Sequence, residues 1–197
     1  MLDCIASIFK LKLTAPQKKA IEKQDGQGHV DRIFFCSWLK SFLAIPLEVN
    51  HIWELIRQNI GRFVTLDIHA EMILSQAQME YELVLLTNGG IENQNRKITQ
   101  TKLNRFFTKD RIFISEAIGY QKPNLKIFQW VANQFDENRS FVMIGNHWEN
   151  DILGAQQFGW KAVYINSEKQ DSKTENVKII SSLLSLNKAL NELECVN

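Results

Sequence analysis

The chain has 197 residues, of which 45% are hydrophobic and 23% are charged, a balance typical of one compact α/β domain with a small appended lobe. Lys and Arg total 23 against 22 Asp and Glu, so the net charge of +1 creates no field that would attract nucleic acid or an anionic membrane. We therefore expect a small-molecule partner, with no nucleic acid and no membrane.

Three cysteines, Cys4, Cys36 and Cys195, are an odd number at wide separations, which excludes a disulfide framework and indicates no zinc site. The first residues include no basic leader and no small-residue cleavage site. No stretch approaches the roughly 20 apolar residues that a membrane span needs. These features predict a cytoplasmic protein.

Residues 1–62 are predicted to form a small helical lobe. Thr14, with Gln17 three residues later, is typical of a capped helix start. A second helix carries an apolar stripe with the spacing i, i+3, i+4 and i+7, which we interpret as core. The stripe consists of Phe35, Trp38, Leu39 and Phe42. Asn50 is expected to cap a third helix.

From residue 63 to 197 helices alternate with short apolar runs, which predicts an α/β fold with a doubly wound parallel sheet. The strands are predicted at residues 83–86, 112–114, 141–144 and 162–165. The helices are predicted to begin at Asp67, Lys97, Asn124 and Asp151, and residues 167–175 are predicted to be a polar connector. In such a fold, ligands bind beyond the carboxyl ends of the strands.

Polar residues follow three of the predicted strands. Thr87, Asn88 and Gly89 offer a hydroxyl, an amide and a flexible backbone to an oxyanion, although Asn-Gly is also a common turn dipeptide. Lys122 lies in a later loop and is suited to neutralise an anion, but a lone lysine of this kind is more often a solvated surface residue. The stretch 145–151 offers acidic and amide oxygens for magnesium, or caps for the next helix.

The order of these groups resembles the haloacid dehalogenase (HAD) superfamily. Residues 85–89 resemble its second motif, residues 119–123 its third and residues 143–155 its fourth, while residues 1–62 resemble its inserted helical cap. The resemblance implies a Rossmannoid core at residues 63–197. It also implies a Mg²⁺-dependent phosphatase activity on a small phosphomonoester, with the cap selecting the substrate.

The resemblance also assigns roles to individual residues. Thr87, Asn88 and Gly89 would bind the phosphoryl group or shape its pocket. Lys122 would be a catalytic and phosphate-binding residue that balances the charge of nucleophile and phosphate. Asp151 and Asn146 would serve the magnesium ion.

Two features depart from the family pattern. The sequence contains no Asp-x-Asp-x-Thr-like segment, which in the family ends the first strand and supplies the attacking aspartate. Asn146 stands where the family usually has Asp, so magnesium should be held weakly or not at all. We therefore expect a truncated or inactive enzyme without the first strand, which would complete its sheet as a homo-oligomer.

Two alternatives stay open. One is a non-catalytic protein that keeps the phosphate pocket, a pseudo-phosphatase that binds a small phosphorylated metabolite or serves in interaction. The other is a receiver-like signalling domain, which the helical lobe and the 145–151 stretch argue against.

Overall fold

The computed structural model describes residues 1–26, 30–166 and 176–194. Cys195 and the predicted polar connector at 167–175 lie outside these residues. The chain divides into two compact units, Met1–Thr65 with Thr99–Thr101, and Leu66–Ile98 with Lys102–Asn197. Within the described residues, no helix has both the length and the apolar character needed to cross a membrane.

The first unit is helical. Its helices are α1 (Leu2–Ile8), α2 (Ala15–Asp25), α3 (Arg32–Phe42) and α4 (Val49–Asn59), followed by a 3₁₀ turn at Ile60–Phe63. Their inner faces form one buried cluster that includes Ile21, Phe35 and Ile52. The predicted apolar stripe of α3 is thus partly buried, with Phe35 and Leu39 in the cluster and Phe42 exposed.

The ends of these helices test the predicted caps. Thr14 and Gln17 form the predicted capping box at the start of α2, with each side chain bonded to the other's backbone N–H. The prediction that Asn50 caps the next helix is wrong, because α4 begins at Val49 with Glu48 at the N-cap position. Asn50 has helical backbone already, so its side chain cannot play that part.

The second unit alternates strands and helices. Its helices are α5 (Ile68–Ala77), α6 (Ile91–Gln100), α7 (Ser115–Ile118), α8 (Leu125–Ala132), α9 (Gly154–Gln157) and α10 (Leu186–Glu194). Its strands are β1 (Leu85–Thr87), β2 (Ile112–Ile114), β3 (Val142–Gly145), β4 (Lys161–Ile165) and β5 (Val177–Ile180). A π-helical turn, Trp148–Leu153, precedes α9, and short 3₁₀ turns occur at Leu103–Arg105, Lys109–Arg111 and Leu183–Ser185.

All strand pairs in this unit are parallel, which confirms the predicted fold class. β1 pairs with β2 in a two-stranded sheet, with Thr87 opposite Ile114. β3, β4 and β5 form a three-stranded sheet in that order. Within the described residues, β1 and β3 therefore each have one edge without a strand partner.

Helices cover both faces of the strands, as a doubly wound fold requires. On one face Phe128 of α8 and Ala155 of α9 pack in a cluster with Leu86 and Met143, so one core spans both sheets. Burying a side chain such as Phe128 stabilises the unit by about 2–3 kcal/mol. On the opposite face, α5 and α10 contact the three-stranded sheet through a second cluster. That cluster comprises Ile73, Val163, Ile180, Leu186, Ala189, Leu190 and Leu193.

Several predicted boundaries differ from the structure. The predicted strands at 83–86, 141–144 and 162–165 lie within two residues of β1, β3 and β4, and 112–114 coincides with β2. The helix predicted from Lys97 is wrong, since α6 occupies Ile91–Gln100. The predicted start at Asp151 is also wrong, because the chain coils from Trp148 as a π-helical turn. The predicted helix starts at Asp67 and Asn124 are confirmed, and the structure shows that these residues are the N-caps of α5 and α8.

Candidate functional site

The loop after β1 presents the first group of predicted site residues. Thr87 ends β1, and its Oγ1 donates a long hydrogen bond of 3.3 Å to the Asn88 carbonyl. Asn88 turns toward the loop after β2: its Nδ2 donates to the Lys122 carbonyl at 2.9 Å, and its Oδ1 accepts from the Lys122 N–H at 2.9 Å. Asn88 therefore fixes the backbone of Lys122, which is a structural link that the sequence alone did not predict.

Gly89 occupies a backbone conformation that favours glycine, with φ of 133°. A Cβ at this position would lie 2.7 Å from Nε2 of Gln94. Its N–H donates to Oγ of Ser115 at 2.9 Å. The backbone of Gly89 is therefore already engaged, and its evident contribution is the shape of the turn.

Lys122 lies at the centre of the site. Its residue is 8% exposed, and its Nζ lies 2.6 Å from Asp151 Oδ1 and donates to the Leu86 carbonyl at 3.0 Å. A buried ammonium is costly unless it is paired and hydrogen-bonded, and both conditions are met here. The alternative that Lys122 is a solvated surface lysine is therefore wrong. The Lys122–Pro123 peptide bond is cis.

Asp151 is the other buried charge, with 6% exposure. It lies in the π-helical turn after β3, and its Oδ2 accepts from the His147 N–H at 3.1 Å. Gly145, the last residue of β3, makes room for it, because a Cβ there would lie 2.4 Å from the Asp151 side chain. The absence of a side chain at residue 145 thus allows Asp151 to reach Lys122.

The remaining predicted ligand, Asn146, is exposed between β3 and the π-helical turn. Beside it, His147 Nδ1 accepts from the Asn150 N–H at 3.1 Å, so the histidine caps the turn. The predicted alternative that Asn150 or Asp151 caps this turn is wrong, because both lie within it and His147 is at the N-cap position. Asp151 accepts from His147, whereas Asn150 donates its backbone N–H.

The donor set around Asp151 limits what metal it can hold. In the part of the chain that the structure describes, no group of three His, Cys, Asp or Glu side chains forms a metal-binding cluster. Magnesium requires few protein oxygens and keeps several of its waters, so one carboxylate and one amide oxygen are compatible with it. They bring a single negative charge, which fits weak rather than tight binding.

Sequence reasoning missed three residues that hold the loop after β1. Ser115 and Glu116, which follow β2, bond to Gly89 and to the Ile91 N–H, and Gln94 Nε2 donates to the Asn88 carbonyl at 2.8 Å. The signal was available for Ser115 and Glu116, because they are polar residues directly after a predicted strand. Gln94 had no such signal, since it lies in a polar helix.

The structure thus brings Thr87, Asn88, Lys122 and Asp151 together at the carboxyl ends of β1 and β3. The contacts that join them are direct: Asn88 to the Lys122 backbone, and Lys122 to both Leu86 and Asp151. A hydroxyl, a buried ammonium and a carboxylate at this edge of a parallel α/β fold are chemically suited to a phosphate-like anion.

The sequence is similar to those of known hydrolases. Residues 119–184 match a family model described as HAD-hydrolase-like. The chain is 31% identical over 99 residues to the glyceraldehyde 3-phosphate phosphatase of Methanothermobacter thermautotrophicus, covering 50% of this chain and 43% of that protein. It is 30% identical over 139 residues to the pyrimidine 5'-nucleotidase YjjG of Escherichia coli, covering 70% of this chain and 60% of that protein.

The fold comparison agrees with the sequence comparison. The magnesium-bound HAD-hydrolase YfnB of Bacillus subtilis superposes with a TM-score of 0.78 at 22% identity, covering 95% of this chain and 90% of that chain. These comparisons show that the chain is similar to hydrolases of the haloacid dehalogenase superfamily, whose members typically use Mg²⁺. It spans less than two thirds of the length of the curated relatives named above.

Proposed function

We propose that this chain forms the phosphate-binding core of a magnesium-dependent phosphohydrolase that acts on a small phosphomonoester. The observation that carries the proposal is the position of Lys122 Nζ, 2.6 Å from Asp151 Oδ1 and 3.0 Å from the carbonyl of Leu86, the residue before Thr87. A buried cation that bonds to the end of a parallel strand, one residue before a threonine, suits a phosphoryl oxygen. The names of the relatives, a phosphatase and a nucleotidase, support the same class of reaction.

Each residue has a distinct part in the proposed site. Thr87 Oγ1 makes one long bond to a neighbouring carbonyl, so it can turn to donate to a phosphoryl oxygen at little cost. Lys122 neutralises charge on the phosphate, and Asn88 keeps the Lys122 backbone in place through two hydrogen bonds. Gly89 supplies the turn that presents Thr87.

Asp151 and Asn146 would hold the magnesium ion, with water molecules completing its coordination. When bound, magnesium supplies charge neutralisation at the phosphoryl oxygens. Asp151 serves two cations in this proposal, because one of its oxygens already contacts Lys122.

Phosphate binding and ester hydrolysis make different demands on this chain. The sequence contains no Asp-x-Asp-x-Thr-like segment, and the carboxylate that contacts Lys122 among the described residues, Asp151, is also bonded to the His147 N–H. We therefore propose that this chain by itself binds phosphate without hydrolysing an ester. The same observation favours the second candidate function, a non-catalytic protein that binds a small phosphorylated metabolite.

The strand edges suggest how a complete sheet would be made. Within the described residues, β1 pairs only with β2 and β3 only with β4, and Ile144 on β3 is 38% exposed. Unpaired strand edges favour pairing with another chain. We propose that a second copy of this chain covers these edges. Light scattering coupled to size-exclusion chromatography tests this: a dimer is expected, and a monomer at every concentration contradicts it.

The buried cysteines bear on the cellular location. Two cysteines, Cys4 and Cys36, are buried free thiols, and both belong to the core of the helical unit. Free thiols of this kind suit a reducing compartment, so we propose the cytoplasm. Fractionation of cells that express the full-length protein tests this, and recovery outside the cytoplasmic fraction contradicts it.

Calorimetry with inorganic phosphate, in the presence and absence of Mg²⁺, tests the binding proposal. The Thr87→Val variant keeps the side-chain shape and loses the hydroxyl, and we expect about fivefold weaker phosphate binding, since one hydrogen bond contributes about 1 kcal/mol. Thr65→Val, at an exposed threonine, is the matched control and should bind as the parent does.

A turnover assay with a generic phosphate ester separates the two candidate functions. Phosphate binding without turnover supports the non-catalytic function. Magnesium-dependent turnover by this chain would show that it contains a nucleophile outside any Asp-x-Asp-x-Thr-like segment. No phosphate binding by the parent chain at any magnesium concentration contradicts both functions.

A further inference from the structure

The loop between β1 and α6 is clamped by a buried serine from another strand. Ser115 follows β2 directly and is 7% exposed. Its Oγ accepts from the Gly89 N–H at 2.9 Å and donates to the Gly89 carbonyl at 3.4 Å. A single hydroxyl therefore engages both backbone groups of the glycine that turns the chain after Thr87.

The neighbouring residue holds the far end of the same loop. Glu116 Oε2 accepts from the N–H of Ile91, the first residue of α6, at 2.7 Å. A carboxylate at the start of a helix satisfies a backbone donor that has no partner inside the helix, and it interacts favourably with the helix dipole.

Two further contacts complete the support of the loop. Gln94, in the first turn of α6, donates to the Asn88 carbonyl at 2.8 Å, and the Asn88 side chain is paired with the Lys122 backbone. The loop is thus held at Asn88, Gly89 and Ile91 by side chains or backbone from outside it. By contrast, the Thr87 hydroxyl donates a long hydrogen bond of 3.3 Å to the carbonyl of the next residue, Asn88.

We propose that Ser115 and Glu116 are positioning residues that hold the loop after β1 in the conformation in which Thr87 faces a phosphate. The inference rests on the proposed function, because it gives that loop the task of binding phosphate. Neither residue needs to touch the ligand. Ser115 fixes the turn at Gly89, and Glu116 fixes the point where the loop becomes α6.

Amide hydrogen exchange of the full chain without ligand tests the clamp directly. In Ser115→Ala the Gly89 amide should exchange about tenfold faster, because its acceptor is lost. Glu116→Leu should do the same at Ile91, whereas Glu116→Gln keeps an acceptor oxygen and should restore most of the protection. Unchanged exchange at Gly89 in Ser115→Ala overturns the proposal.

Phosphate affinity, measured by calorimetry with inorganic phosphate and Mg²⁺, then separates positioning from a merely structural role. Ser115→Ala and Glu116→Leu should each bind phosphate about fivefold to tenfold more weakly, and Glu116→Gln should bind nearly as the parent does. Ser75→Ala and Glu92→Gln, at exposed positions of α5 and α6, are matched controls that should leave the affinity unchanged.

The two measurements distinguish the ways in which the inference and the proposed function can fail. Faster exchange with parental affinity in Ser115→Ala shows that the clamp is structural only, which overturns the positioning role. A parent chain that binds no phosphate refutes the proposed function and, with it, any effect on affinity. The exchange result then still decides whether Ser115 and Glu116 hold the loop.

Discussion

Replacing Lys122 by methionine removes the charge of the buried ion pair while keeping most of the side-chain volume. Lys122 and Asp151 both have side chains that are 9% exposed, and their charged atoms lie 2.6 Å apart. The variant leaves Asp151 buried without its cation, which should lower the free energy of unfolding by about 3–5 kcal/mol. The total for a domain of this kind is about 5–15 kcal/mol, so the loss is a large fraction of the stability.

Urea unfolding followed by circular dichroism measures this loss, and a double-mutant cycle assigns it to the pair. The variant carrying both Lys122→Met and Asp151→Asn should be more stable than the sum of the single losses predicts, by about 1–3 kcal/mol. Lys126→Met, at an exposed lysine 5.1 Å from the Tyr120 ring centre, is the control and should cost less than about 1 kcal/mol. Additive losses, or a loss in Lys122→Met no larger than in the control, would refute the reasoning.

Three other predictions concern different parts of the molecule. Gly145→Ala places a Cβ 2.4 Å from the Asp151 side chain and should lower the unfolding free energy by about 1–3 kcal/mol, measured by urea titration. Gly90→Ala is the control, because its Cβ would make only an ordinary van der Waals contact, and it should lower the unfolding free energy by less. Burial raises the pKa of the Cys36 thiol from 9.0 to about 11. As the pH rises, this thiol therefore loses its proton in the unfolded chain before it does so in the folded chain, and the free energy of unfolding should fall between pH 9 and 11 by up to about 3 kcal/mol. Urea midpoints across that range measure the fall, and Cys36→Ala should show a shallower one. Thr14→Ala removes the capping box of α2 and should cost about 1 kcal/mol by thermal unfolding, which Thr14→Ser should largely restore.

The strands and the central site could be predicted from sequence because their signals are local. A continuous apolar run such as residues 83–86 is too short for a helix and is bounded by Asn88 and Gly89, so it indicates a buried strand. Polar residues after such runs then fall at one edge of a parallel sheet. That rule alone predicts that Thr87 and Asp151 lie at the same edge, and in the structure Lys122 bonds both to Asp151 and to the carbonyl of Leu86, the residue before Thr87.

What could not be predicted depends on distant contacts. The start of α6 at Ile91 has its backbone donor satisfied by Glu116, 25 residues along the chain, so nothing in the local sequence indicates where the helix begins. Within α6, Ile98 is the buried residue, which leaves little apolar periodicity to detect. The π-helical turn before α9 likewise depends on His147 and on the space that Gly145 leaves for Asp151.

Helix α10 could have been predicted from the sequence, because its apolar residues have a clear helical spacing. In α10 the buried residues recur at the helical spacing i, i+3, i+4 and i+7, the same pattern that predicted α3. They are Leu186, Ala189, Leu190 and Leu193. β5 is less easily detected, since Lys178 interrupts its apolar run at Val177–Ile180.

The aromatic side chains near the site give the molecule its own optical probe. Trp148 begins the π-helical turn that carries Asp151, and its ring meets Tyr164 edge-on with centres 5.3 Å apart. Trp160, by contrast, stacks on Phe141 within the core at 4.6 Å. The chain has five tryptophans, so a variant that keeps Trp148 and carries phenylalanine at the other four would report on the strand ends, and one that keeps only Trp160 would report on the fold.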